Sequence, residues 1–171
     1  MDQWIHDTVT LRAGFVADIA SWITALGTFW ICLVILGVAL WRRWAELIGA
    51  ALALGVTRLV VTVLKSVIDR ERPPVVDQLV HATGQAMPSG HSANAACVAV
   101  FAMMVVPRLR WPALVFAALV GLTRILLGVH WATDVIAGWA VGALISWACA
   151  RSVSPVSRRF PRRSSLVAPG S

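Results

Sequence analysis

Acidic side chains and lysine are scarce in this 171-residue chain: 8 Asp and Glu stand against 15 Lys and Arg, and Lys65 is the sole lysine. No cluster of carboxylates suits a divalent cation, and no Gly-rich loop of the nucleotide-binding kind occurs. The three cysteines, Cys32, Cys97 and Cys149, lie in or beside apolar runs without metal-ligand spacing, so they are expected to pack rather than bridge or ligate. No repeat of fixed period is visible. The start, Met1-Asp2-Gln3-Trp4, lacks the basic region and apolar core of a cleavable signal, which leaves targeting to the first span. These absences speak against a metalloenzyme, a nucleotide-binding enzyme and a disulfide scaffold. No metal, cofactor or nucleic acid partner is expected.

Apolar residues make up 58% of the chain and the mean hydropathy is +0.77, yet the isoelectric point is near 11.2 and the formal net charge +7. That combination predicts an integral membrane protein with basic loops. A soluble helical bundle would have to hide too much apolar surface in too small a domain. Five runs approach the roughly 20 residues that cross a ~30 Å hydrocarbon core as helix: Thr24 to Trp41, Ala45 to Leu64, Ala93 to Val106, Pro112 to Leu127 and Val135 to Ala150. From Val9 to Ile23, Leu11, Phe15, Ile19, Trp22 and Ile23 recur at helical spacing opposite Arg12 and Asp18, which predicts a helix lying in the membrane interface. The expected fold is therefore all-α, a bundle of about five transmembrane helices plus an N-terminal interfacial helix. Residues 1–150 would form the membrane domain, and residues 151–171, rich in Ser, Arg and Pro, a basic disordered tail.

The arginines orient this bundle. With five crossings, Arg42, Arg43, Arg108, Arg110, Arg151, Arg158, Arg159, Arg162 and Arg163 fall on one side, which the positive-inside rule makes cytoplasmic. Trp41, Trp44 and Trp111 then mark the inner boundary and Trp22 and Trp131 the outer one. Arg58, within the second run, is expected to face the bundle interior, because a cation in the membrane calls for a partner.

Three polar clusters interrupt the apolar runs on the opposite, outer side. In the first, Lys65 and Arg72 are seven residues apart, so on a continuing helix they would point the same way, with Pro73 ending the helix. Taken alone, those cations could equally anchor a helix end, a reading that their position on the outer face makes less comfortable. In the second, Pro88 and Ser89 are ordinary helix-start residues, but that role gives no reason for Gly90 and His91. An oxyanion would use both, since free amides at a helix start bind anions and glycine permits close approach. In the third, Arg124 is followed by Gly128, which gives room to turn, and by His130 and Asp134. The last two share a face at a helix start, so the carboxylate can hold one imidazole nitrogen and leave the other free.

In order and spacing these clusters resemble the signature of the type 2 phosphatidic acid phosphatase family, which lipid phosphate phosphatases share with vanadium haloperoxidases. The resemblance covers Lys65 to Asp134 and departs at Thr123, where the family usually has serine. It implies a phosphohistidine on His130 oriented by Asp134, with His91 as acid and then base. It also implies that Lys65, Arg72, Arg124, Ser89 and the Gly90 amide hold the phosphate oxygens. The expected substrate is a lipid phosphomonoester or diphosphate in the bilayer, a polyprenyl diphosphate before others. A bacterial inner-membrane setting follows, with the site facing the periplasm or exterior. A vanadate-dependent haloperoxidase and a non-catalytic lipid-phosphate binder are the alternatives. Five apolar spans speak against the first, and intact His91, His130 and Asp134 against the second. The segment from Val75 to Met87 is expected to form a cap over the site and help select headgroups, though its composition does not say which headgroup.

Overall fold

The computed structural model describes residues 2–74 and 78–159, in six α-helices and one 3-10 turn. In chain order these are α1 Asp2–Ala25, α2 Phe29–Ala39, α3 Trp44–Ile68, α4 Gly90–Val105, the 3-10 turn Pro107–Leu109, α5 Arg110–Leu126 and α6 Ala132–Arg159. Glycine and alanine set how the bundle closes. α4 lies at the centre, against α3, α5 and α6. Its small residues Ala93, Ala95, Ala96 and Ala99 let neighbours approach closely. On α6 the Gly138-x-x-x-Gly142 pair meets α4 so tightly that an added Cβ would stand 2.5 Å from the Ser89 carbonyl oxygen and 2.0 Å from that of Ala93. Gly121 of α5 likewise leaves room for the Trp139 ring, whose Nε1 donates to the Ala117 carbonyl at 3.1 Å. The larger core side chains, Leu36, Leu40, Leu54 and Phe101, lie at the end of the bundle away from the polar clusters.

The spans differ in number from those expected. Among the described residues, three helical stretches, Trp44–Ile68, Pro107–Leu126 and Ala132–Ser152, are long and apolar enough to cross a membrane. A fourth arises if Gly14–Ala25 and Phe29–Ala39, bent by 60°, count as one. The expected Thr24–Trp41 span is thus broken at an elbow, because Gly27 packs against the start of α4. α4 has 16 residues, short of a full span. It can be short because Ser92 to Ala99 are all buried by protein rather than facing lipid. The stretch expected to be an interfacial helix, Val9 to Ile23, falls within α1. Phe15, Ile19 and Trp22 are exposed, while Ala20 and Thr24 are buried. α6 runs on to Arg159, into the stretch expected to be a tail, and residues 160–171 lie outside the described ones.

Two further expectations change. Arg58 does not face the interior. It is exposed on α3, its guanidinium 5.4 Å from the centre of the Phe29 ring. The Phe29 ring face attracts the cation there. α3 does not continue to Pro73 either. Asp69, at φ 46°, adopts the left-handed conformation that aspartate tolerates, and its N–H caps the Lys65 carbonyl at 3.0 Å. Arg72 therefore reaches its position from a loop. At the opposite end Arg43 pairs with Glu46 at 2.9 Å and donates to the Val105 carbonyl at 2.7 Å, which ties α3 to the close of α4. The three cysteines are free thiols, Cys32 and Cys97 buried.

Candidate active site

Backbone hydrogen bonds bring the three polar clusters together before any side chain is considered. The Ser89 N–H donates to the Asp134 carbonyl at 2.9 Å, joining the start of α4 to that of α6. The Ala86 N–H donates to the Arg70 carbonyl at 2.8 Å, and that of Leu79 to the Leu127 carbonyl at 3.0 Å. The segment after α3 is thereby laid over the turn between α5 and α6. That turn needs Gly128, whose φ of 68° suits a residue without Cβ. Of the segment expected to cap the site, residues 75–77 lie outside the described ones.

His130 is the centre of the cluster. It is buried, with Nδ1 3.5 Å from Asp134 Oδ2. That separation is too long for a hydrogen bond, so Nδ1 faces the carboxylate without being bonded to it. On the other side of the ring, Arg72 Nη1 lies 3.3 Å from Nε2. Arg72 is fixed by the carbonyls of Val129 at 2.8 Å, Gly84 at 2.9 Å and Thr83 at 3.1 Å. Lys65 donates to the Gln85 carbonyl and, at 3.4 Å, to that of Ala86. Arg124, buried near the end of α5, donates to Thr24 Oγ1 at 3.0 Å and keeps a buried Nε without a hydrogen bond.

Burial pushes the His130 pKa down from 6.5 to about 2, and Arg124, Arg72, Lys65 and His91 push in the same direction. The imidazole is therefore neutral at neutral pH. A stability consequence follows. The unfolded chain takes up a proton near pH 6.5 that the folded His130 refuses until about pH 2, so this group costs stability as pH falls below 6.5. The melting temperature in detergent is expected to drop between pH 7.5 and 5, and to drop less in His130→Ala. Equal slopes for the two proteins would contradict this.

Ser89 caps α4 and Gly90 opens it. Ser89 is fully buried, and its Oγ accepts from Ser92 Oγ at 2.9 Å. A Cβ on Gly90 would meet only Val61 Cγ1, at an ordinary 3.7 Å, so internal packing does not demand glycine there. Thr123 uses its hydroxyl within α5, donating to the Val120 carbonyl at 2.8 Å. His81 is exposed.

Several residues around the site were not legible as parts of it. Arg70 Nη1 bonds Asp134 Oδ1 at 2.9 Å and Thr133 Oγ1 at 2.6 Å. Oδ2 is left to His130 and to the Trp131 N–H at 2.9 Å. The elbow between α1 and α2 braces the site from beneath. Thr24 receives Arg124, Asn94 Nδ2 donates to the Gly27 carbonyl at 3.1 Å, and a Cβ on Gly27 would lie 3.1 Å from the His91 carbonyl oxygen. Only an arginine beside the motif and a glycine between two apolar runs hint at these contacts in the sequence.

Such a constellation can hold a tetrahedral oxyanion and attack it. Lys65, Arg72 and Arg124 surround the buried, neutral imidazole of His130 with positive charge. No group of three or more His, Cys, Asp or Glu suited to a metal occurs among the described residues.

Comparison with known proteins gives consistent matches. Residues 46–158 match the PAP2 superfamily. Phosphatidylglycerophosphatase B of Bacillus subtilis is 36% identical over 153 residues, covering 80% of this chain and 75% of that protein. An undecaprenyl-diphosphatase of Sulfolobus acidocaldarius is 39% identical over 66 residues, 38% of this chain and 32% of that protein. The crystal structure of the transmembrane PAP2-type phosphatidylglycerolphosphate phosphatase from Bacillus subtilis superposes with a TM-score of 0.67 at 30% identity, over 91% of this chain and 89% of that one.

Proposed function

The chain belongs to the PAP2 superfamily, and on that premise we propose that it is a lipid phosphate phosphatase working through a phosphohistidine, with a polyprenyl diphosphate as substrate. One observation carries the reading. His130 turns Nδ1 to Asp134 at 3.5 Å and Nε2 to Arg72 at 3.3 Å, in a buried setting whose charge is otherwise cationic. A nucleophile with an orienting carboxylate is more than binding requires, which speaks against a passive lipid-phosphate carrier. The relatives are phosphatases by name, and the haloperoxidase reading draws no support from them.

The chemistry proceeds in two displacements. Nε2 of His130 attacks the terminal phosphorus while the bond to the bridging oxygen breaks. The bound phosphate dianion offsets the surrounding cations and lets His91 take up a proton, which it gives to that oxygen as it returns to the neutral form, and Asp134 stabilises the imidazolium character of the new phosphohistidine. Water, deprotonated by His91, then attacks the same phosphorus. Inorganic phosphate leaves, and the electron pair of the P–N bond returns to His130. Lys65, Arg72, Arg124, Ser89 and the Gly90 amide hold the equatorial oxygens as charge shifts.

The cluster closes the end of the bundle opposite Arg43 and Arg108. The positive-inside rule then turns it to the periplasm or exterior, where lipid phosphates lie at headgroup depth. A phosphomonoester headgroup is the second reading, favoured by the similarity to phosphatidylglycerophosphatase B along most of the chain. The test is phosphate release by the detergent-purified protein, with EDTA present, from a polyprenyl diphosphate, phosphatidylglycerophosphate and phosphatidic acid. Release that survives chelation and is fastest from the diphosphate is expected. No release from any of the three would refute the proposal.

A further inference from the structure

We propose that Thr24, near the end of α1, is a positioning residue for phosphoryl transfer, its hydroxyl aiming the Arg124 guanidinium at the phosphate. This rests on the reaction proposed above and deepens it, bringing into the site a residue that precedes the stretch 46–158 matching the superfamily.

Arg124 is held differently from the paired arginines. Arg43 bonds Glu46 and Arg70 bonds Asp134, both at 2.9 Å. Arg124 is only 7% exposed, yet the one hydrogen bond its side chain makes among the described residues runs from Nη1 to Thr24 Oγ1 at 3.0 Å, a neutral oxygen. A hydroxyl fixes a guanidinium and leaves its charge intact, whereas a carboxylate would cancel the charge that an anion needs. A cation near the end of a span ordinarily reaches out to the headgroups. This one is kept inside, and its Nε is a buried donor without a hydrogen bond.

The surroundings of Arg124 show what Thr24 serves. The N–H of Val129, the residue before His130, donates to the Arg124 carbonyl at 3.3 Å. Of the charges that act on His130 and on His91, that of Arg124 acts most strongly. A guanidinium is planar with its donors in a fixed fork, so a contact at Nη1 sets the direction of the others. Without it the side chain keeps its charge but is freer to change rotamer. In the reaction proposed here Arg124 holds an equatorial oxygen as charge shifts, so loss of aim should lower kcat more than it raises KM.

Thr24 itself stands on a firm support. Ala20, one turn earlier on α1, is buried with Leu127 and Val129 of the turn that leads to His130. Three residues after Thr24, the Gly27 carbonyl accepts from Asn94 Nδ2 at 3.1 Å, and Gly27 lies against His91 and Val120. The elbow is thus wedged between α4 and α5, which keeps Thr24 from drifting away from Arg124. The plainer role of a helical threonine is to bond its own backbone four residues back, as Thr57 does with the Ala53 carbonyl. That role does not account for a bond to a buried cation 100 positions away.

Thr24→Val removes the hydroxyl and keeps the shape. Phosphate release in detergent is measured from farnesyl diphosphate and from phosphatidylglycerophosphate, and the faster substrate is used. In Thr24→Val kcat is expected to fall about tenfold with KM within about twofold, a smaller loss than the roughly 10²- to 10³-fold cost of removing an oxyanion donor outright. Thr24→Ser should recover most of the rate. In an Arg124→Gln background Thr24→Val should cause no further loss, because its effect passes through the guanidinium. Melting temperatures check the fold, and Thr24→Ala, which adds no bulk, carries the same expectation if Thr24→Val is not recovered folded. A wild-type kcat in Thr24→Val, a Thr24→Ser as slow as Thr24→Val, or an equal loss with and without Arg124→Gln overturns the proposal. A wild-type protein that releases phosphate from neither substrate would instead defeat the phosphatase reading, and this proposal with it.

Discussion

His130→Ala is expected to lower phosphate release on the order of 10⁴-fold or more and to leave no phosphorylated protein after rapid quench, because it removes the imidazole that the proposed mechanism makes the nucleophile. His91→Ala should behave differently. It keeps the nucleophile but loses the acid and base, worth roughly 10² to 10⁴ in rate. The second displacement needs a base to activate water, so with a diphosphate, whose leaving group departs readily, phosphoenzyme should accumulate. A P–N bond is labile to acid and stable to alkali, and that pattern in a quench with labelled substrate distinguishes phosphohistidine from a phosphoester. Accumulation in His130→Ala, or label stable to acid, would exclude the mechanism. The two variants together separate attack from hydrolysis, which a single loss of activity cannot do.

What the sequence could and could not convey follows from how each feature is encoded. Lys65, Arg72, Arg124 and His130 were legible because charge and histidine stand out where apolar runs end, and a membrane makes each polar residue conspicuous. His91 stood out because the start of a helix gives no structural reason for it. The helical, membrane-embedded class was legible from composition for the same cause. The count of spans was not. Hydropathy sees apolar length but cannot tell α4, enclosed by protein, from a helix facing lipid. Nor can it see that Gly27 breaks a run because the chain must touch His91 there. Arg70 illustrates a different limit. It lies two residues before Arg72 and reads as another loop cation, yet it holds the buried Asp134 across 64 positions of sequence. Arg58 illustrates a third, since the sequence reports that a charge lies in a span but not which way it points. Features that depend on pairing between distant segments carry little local signal, and in this site they include most of what orients the catalytic groups.

Gly138→Ala should remove most of the activity although residue 138 carries no functional group. The added methyl would stand 2.5 Å from the Ser89 carbonyl oxygen, 3.1 Å from Ser92 Cβ and 3.2 Å from the Ala93 nitrogen. The closest of these is backbone, which cannot rotate away as a side chain can, so α6 and α4 must separate. Overpacking of this kind costs typically about 1–3 kcal/mol. Its larger effect is on geometry. Ser89 is tied to Asp134 through the 2.9 Å bond from its N–H, so a shift at Ser89 moves the second cluster against the third. Displacements of about 1 Å between a nucleophile and its phosphate-binding groups lower rates on the order of 10²-fold. A fall of that size in kcat, with a melting temperature lowered by several degrees and folded protein still recovered, is the expected outcome. Gly37→Ala serves as the control, because a Cβ there meets nothing within 4 Å. If Gly138→Ala matched that control in rate, close approach of α4 and α6 would not be what aligns His91 with His130.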